Sequence, residues 1–178
     1  MSNRKNDIIF KLCCAGLCLA LAYVLPFSTG QIKAVGKMLC PMHIPVLLCG
    51  IICGWQYGLA VGIAAPLLRS VTVGMPVLFP NAVAMAVELA AYGVIVGVMY
   101  RLLPKKIPNI YVSLLVAMIG GRIIWGAVSY FLYMVNGTSF TMEKFIAGAV
   151  TEALPGIAIQ IVFIPLIVIA LKKAKIVK

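Results

Sequence analysis

The chain has 178 residues, of which 63% are apolar and 11% charged, and its mean hydropathy is +1.11. Soluble domains average about 45–50% apolar and about 25% charged residues, so this chain has more apolar surface than its own core can hide and too few charges to coat its outside. Composition argues against a soluble enzyme, a disordered tail and a secreted disulfide scaffold. It predicts an all-α membrane protein, with residues 1–178 forming one integral membrane domain. The net charge of +11, from 15 Lys and Arg against 4 Asp and Glu, sits mostly in loops and tails between apolar runs. That placement reads as membrane topology and headgroup contact, with no role for nucleic acid.

The first apolar run covers residues 8–27, with Lys11 one turn inside it and able to snorkel. Arg4, Lys5 and the small-x-small Ala20-Leu21-Ala22 would suit a signal peptide. The run continues through Tyr23-Val24-Leu25 and further spans follow, so a retained first helix is predicted. Region 38–68 has no formal charge and contains Pro41, Pro45, Gly54, Gly58 and Pro66. It is long for one span of about 20 residues and short for two, and Gly54-Trp55-Gln56-Tyr57-Gly58 reads as a tight turn in its middle. Cleaner runs follow at 81–100, at 110–133 with Arg122 inside, and at 145–171 with Glu152 inside and kinks expected at Pro155 and Pro165.

Charge parity decides the ambiguous region. Arg4, Lys5, Lys11, Arg101, Lys105, Lys106, Lys172, Lys173, Lys175 and Lys178 fall on one side, and Lys33, Lys37, Arg69 and Lys144 on the other. The positive-inside rule makes both termini and the 101–109 loop cytoplasmic. Region 38–68 must then cross twice or form a re-entrant hairpin. Two crossings are favoured, giving a six-transmembrane-helix bundle.

Gly50, Gly54, Gly58 and Gly62 form a series at spacing four, and Gly93 and Gly97 repeat it. Gly16 and Ala20, with Cys14, Cys18 and Ala22, put small residues on the first helix. Such residues let helix backbones approach closely, within the bundle or against another membrane protein. The six cysteines form no CxxC pair and no four-ligand set; they read as small apolar side chains, with only Cys40 in a loop.

Charges inside spans need a partner or a polar cavity, because each costs about 2.5–3.5 kcal/mol near the bilayer centre on insertion scales. At about 1.5 Å per residue, Glu88 and Glu152 lie roughly 10 Å from the outer ends of their spans and Arg122 roughly 16 Å. All three can therefore meet in the outer half of one bundle. Helical spacing extends each charge into a stripe: Asn81, Met85, Glu88 and Tyr92; Arg122, Trp125, Ser129 and Tyr133; Gly148, Glu152, Gly156 and Gln160. Together these faces predict a small-molecule pocket, with a structural Glu–Arg tie as the alternative. His43, before Pro45, caps the outer end of the second helix or touches the ligand. The 69–80 loop is too apolar for a solvated loop, and its Gly74, Met75 and Phe79 suit a gating lid. There is no Walker A, GxSxG or HExxH sequence and no Ser/His/Asp set. The chain is not expected to be an enzyme, and neither a cofactor nor a metal is expected.

The order and spacing of Pro41-Met42-His43-Ile44-Pro45, Gly54-Trp55-Gln56-Tyr57-Gly58, Pro66-Leu67-Leu68-Arg69-Ser70, Gly74-Met75-Pro76 and Ala86-Val87-Glu88-Leu89-Ala90-Ala91-Tyr92-Gly93 resemble the substrate-binding S components of energy-coupling factor (ECF) vitamin transporters. The resemblance extends over nearly the whole chain and is most specific at 41–100. It implies a six-helix subunit in the bacterial plasma membrane that captures a vitamin or vitamin precursor from outside. Delivery would use a transmembrane coupling protein driven by two cytoplasmic ATPase subunits. It also implies that the fourth to sixth helices and outer loops form the pocket, while the first three face the coupling protein. The docking position reads Gly16-Leu17-Cys18-Leu19-Ala20, a small-xxx-small variant of the family's AxxxA. The PMHIP and GMP pattern resembles a branch associated with pantothenate and other vitamin precursors. Arg122 suits a carboxylate, whereas the two glutamates suit a base-containing or amine ligand; pantothenate stays slightly ahead. The competing readings are a small proton-coupled secondary transporter using Glu88 or Glu152, and a structural or assembly membrane protein without a ligand.

Overall fold

A computed structural model describes residues 2–29, 39–138, 141–148 and 153–174, whose regular structure is helical throughout. Helix α1 is Ser2–Val24, continued by a 3-10 turn, Leu25–Thr29. Then come α2, His43–Ile52; α3, Trp55–Val73; α4, Val83–Leu102, entered through a kinked turn at Leu78–Ala82; and α5, Ile107–Val135. A five-residue α6, Met142–Ile146, precedes α7, Leu154–Lys173. Among the described residues, four segments are long and apolar enough to cross a membrane: Asn6–Phe27, Leu78–Leu102, Ile107–Val135 and Leu154–Lys173. Helix α2 has only 10 residues, about 15 Å of rise against a hydrocarbon core of about 30 Å.

Contacts between named residues fix the direction of each helix. Cys14 and Cys18 of α1 meet Cys53 and Cys49 beside α2, so these two run antiparallel. Gly58 and Gly62 of α3 meet Gly93 and Leu89 of α4, also antiparallel. Gly120 and Gly121 of α5 lie against Ile95 and Tyr92 of α4, again antiparallel. Lys172 at the end of α7 reaches the Lys105 carbonyl and the Tyr100 ring. Helices α1, α3 and α5 therefore run one way and α2, α4 and α7 the other. The start of α1, the 103–106 turn and the end of α7 share one end of the bundle.

The glycine series packs inside the bundle. A Cβ on Gly93 would lie 2.4 Å from the Gly58 carbonyl carbon, one on Gly62 would lie 2.6 Å from the Leu89 carbonyl, and one on Gly50 would lie 2.6 Å from the Gly93 oxygen. Helices α2, α3 and α4 thus touch backbone to backbone, the close approach that small residues at spacing four permit. The series is not one helical face, however. Gly54 has φ +105 and turns the chain between α2 and α3, a backbone region that favours glycine. The predicted five-residue turn shrinks to Cys53–Gly54, and the helix restarts at Trp55.

The small residues of α1 occupy two faces. Ala15, Cys18 and Ala22 are buried, whereas Gly16 and Ala20 are exposed and a Cβ on Gly16 would meet nothing within 4 Å. The loop predicted at 69–80 starts later than expected: α3 continues through Arg69 and Ser70 to Val73 and ends on left-handed Gly74, whose N–H donates to the Ser70 carbonyl at 3.0 Å. Arg69 is buried, not in a loop. Its Nη1 donates to the Tyr23 carbonyl at 3.2 Å, and its guanidinium lies 4.8 Å from the centre of the Phe27 ring. Those contacts fasten the end of α3 to the end of α1 and give the buried charge an acceptor and an aromatic face. Pro155 stands in the first turn of α7, where its missing N–H leaves no helical bond unmade, and Pro165 lies inside that helix.

Candidate functional site

Three helices bring one cluster together near the start of α2. Cys40 adopts φ +45, and the His43 N–H donates to the Cys40 carbonyl at 3.0 Å. That tight turn starts α2 with His43 as its first residue, and Pro45 in the first turn needs no helical donor. His43 is 2% exposed and packs edge-on to the Tyr92 ring at 5.1 Å between centroids. Its Nε2 lies 3.5 Å from Oε1 of Glu88, which projects from α4 and is 3% exposed.

Arg122 of α5 closes the cluster. Its Nη1 is 3.0 Å from Glu88 Oε1, its Nη2 donates to Cys40 Sγ at 3.8 Å, and its guanidinium stands 5.9 Å from the centre of the Trp125 ring. Trp125 stacks on Phe145 of α6 with centroids 6.2 Å apart. A carboxylate this deep is tolerated because a guanidinium neutralises it at contact distance. Hydrogen bonding is nevertheless incomplete: both ring nitrogens of His43 and Arg122 Nε are buried without a hydrogen-bond partner among the described residues. Such orphaned groups are uncommon in native proteins and call for a partner outside the described residues, a ligand or a water.

The α4 and α5 stripes predicted from spacing meet along their length. Tyr133 OH donates to Asn81 Oδ1 at 3.0 Å at one end, Glu88 pairs with Arg122 further in, and Tyr92 lies against Gly121 below them. Ser129 is buried on the same α5 face, and Met85 packs half-buried on the core. From the third stripe, Gly148 lies against the Trp125 ring and Gln160 is buried in α7, while Glu152 lies outside the described residues. Of the lid residues, Gly74 ends α3, Met75 is half-buried, and Phe79 is exposed at the kink before α4.

An open apolar groove of about 430 Å³ runs along α5 and α6, lined by Ile123, Gly126, Ala127, Tyr130, Thr141, Met142 and Phe145; none of His43, Glu88 and Arg122 lines it. Phe145 links groove and cluster, since its ring covers Gly126 and stacks on Trp125. The buried polar cluster itself is what suits the polar end of a small molecule. Sequence reasoning missed Cys40, which it treated as an apolar loop residue. Its contact with Arg122 joins positions 82 residues apart, and no spacing rule reaches that far.

A family model described as ECF transporter, substrate-specific component, matches residues 10–174. No match was found among curated proteins or among solved structures.

Proposed function

This chain belongs to the substrate-specific components of ECF transporters, and from that premise we propose that it captures a vitamin or vitamin precursor outside the cell. Membership makes it the substrate-specific subunit of an importer. Delivery inward then falls to a transmembrane coupling protein and two cytoplasmic ATPase subunits. In this reading the bundle crosses a bacterial plasma membrane six times with both termini cytoplasmic. The shared end of the start of α1, the 103–106 turn and the end of α7, which carries most of the basic residues, supports that orientation.

The observation that carries the binding reading is the buried His43–Glu88–Arg122 cluster with donors to spare. Arginine offers five N–H donors and a neutral histidine one. Glu88 and Cys40 engage only part of that capacity. Glu88 Oε1 is an acceptor also left over, so the cluster suits a ligand that carries both acceptors and donors, and pantothenate, with its carboxylate, hydroxyls and amide, is the favoured candidate. His43, Glu88 and Arg122 hold its polar end; Trp125, Ser129, Met85 and Asn81 flank it, Glu152 is a further ligand contact in this reading, and Gly74, Met75 and Phe79 gate it. Gly16 and Ala20, exposed on α1 with open space beside them, suit docking on the coupling protein.

The same ion pair favours a second reading, in which Glu88 and Arg122 merely clamp α4 to α5. The test is mass spectrometry of small molecules released from the purified chain, followed by titration with pantothenate and a vitamin panel. A stoichiometric vitamin-type compound, with binding lost in a folded Arg122→Lys variant, is the expected outcome. An empty protein with no thermal shift for any vitamin supports the clamp alone. Uptake driven by a proton gradient without ATPases would instead sink the importer reading.

A further inference from the structure

A second apolar groove opens far from that cluster, between α5 and α7. It has a volume of about 410 Å³ and is lined by Tyr111 of α5 and by Ile161, Val162, Leu166 and Ile169 of α7. Val162, Leu166, Ile169 and Lys173 follow one another at i, i+4, i+7 and i+11, so one stripe of α7 runs along the groove and ends on a lysine at its mouth. On the other wall, Tyr111 stands one helical turn beyond Ile107, which directly follows the exposed Lys105 and Lys106.

The two basic segments are fastened together. Lys172 Nζ donates to the Lys105 carbonyl at 3.1 Å and stands 5.4 Å from the centre of the Tyr100 ring. Lys105, Lys106, Lys172 and Lys173, with Arg101 at the end of α4, thus crowd one corner of the bundle. None of the chain's four acidic residues lies in 101–111 or in α7. A concentrated positive corner above a lipid-facing apolar groove matches a molecule with an anionic head and a hydrocarbon tail.

We propose that this corner binds one anionic phospholipid, its phosphate at Lys172, Lys173 and the 103–106 turn and an acyl chain in the α5–α7 groove. The proposal is independent of the ligand bound at His43. Ordinary attraction of lysines to a charged membrane would favour anionic lipids without using the groove; a built site uses both.

The test is native mass spectrometry of the purified full chain titrated with phosphatidylglycerol or with phosphatidylcholine of the same acyl chains. The expected result is one retained phosphatidylglycerol, preferred by about tenfold or more. A Lys172→Gln/Lys173→Gln variant should bring the preference close to one. Leu166→Trp, which fills the groove from an exposed position, should weaken retention of both lipids. Val162→Trp, also exposed, supplies the same test should the first variant fail to fold. Equal retention of the two lipids by the unaltered chain overturns the proposal. So does a preference that survives the lysine changes, or retention that both tryptophans leave untouched. If the lysine changes abolish co-purification with the coupling protein but spare lipid preference, the corner is a protein interface and the proposal falls.

Discussion

Glu88 faces one guanidinium and one imidazole in a setting nearly closed to solvent. Removing one partner of a buried pair costs about 3–5 kcal/mol, whereas replacing both by apolar or neutral groups is far milder. Arg122→Ala is therefore expected to lower the melting temperature in detergent strongly, and adding Glu88→Gln should restore much of it. Equal melting of the single and double variants would mean that the charges do not interact. A Glu–Arg meeting was legible in the sequence because a charge in an apolar run must find a partner; the choice of Glu88 over Glu152 and the Asn81–Tyr133 bond between the two stripes were not. Arg69 was not legible. Its polar neighbours Ser70 and Thr72 look like the start of a loop, and only the folded chain supplies the Phe27 ring and the Tyr23 carbonyl that keep it in a helix. Arg69→Ala should loosen the joint between α1 and α3, and faster proteolysis near residue 27 would register it.

At the level of elements, glycines decide how close the helices come. Gly62→Ala would push a methyl group to 2.6 Å from the backbone of Leu89 and Ala90, where no flexible side chain can yield. Overpacking of this kind costs about 1–3 kcal/mol, so thermal unfolding should show a clear loss for Gly62→Ala. Gly16→Ala, with nothing within 4 Å, should melt like the unaltered chain. Any effect of Gly16→Leu should then appear in co-purification with the coupling protein. The spacing-four pattern was readable as close packing, but the break at Gly54 was not placed to the residue. Periodicity runs smoothly across a position whose positive φ shows only in three dimensions. The last span was read as continuous from residue 145, while the structure describes α6 and α7 on either side of residues 149–152.

For the whole molecule, six helices of ten residues or more are described, and their contacts alternate in direction. Composition made the all-helical class legible before any contact was known, while the six crossings and cytoplasmic termini drawn from charge parity belong to the proposed function; the family resemblance read from the motifs agrees with the family match over residues 10–174. A green fluorescent protein fused after residue 178 should fluoresce, and alkaline phosphatase at the same place should be inactive; the reverse pair of results would invert the topology. Helix α2 is the shortest of the six and almost wholly buried, seated against the glycines of α4. Its ten residues work as a spacer: they carry His43 about 15 Å from the turn at Gly54 to the level of Glu88. One added turn would raise the imidazole by about 5.4 Å and leave the carboxylate behind. Whether the imidazole and the carboxylate meet at all is thus written in the length of one short, buried helix.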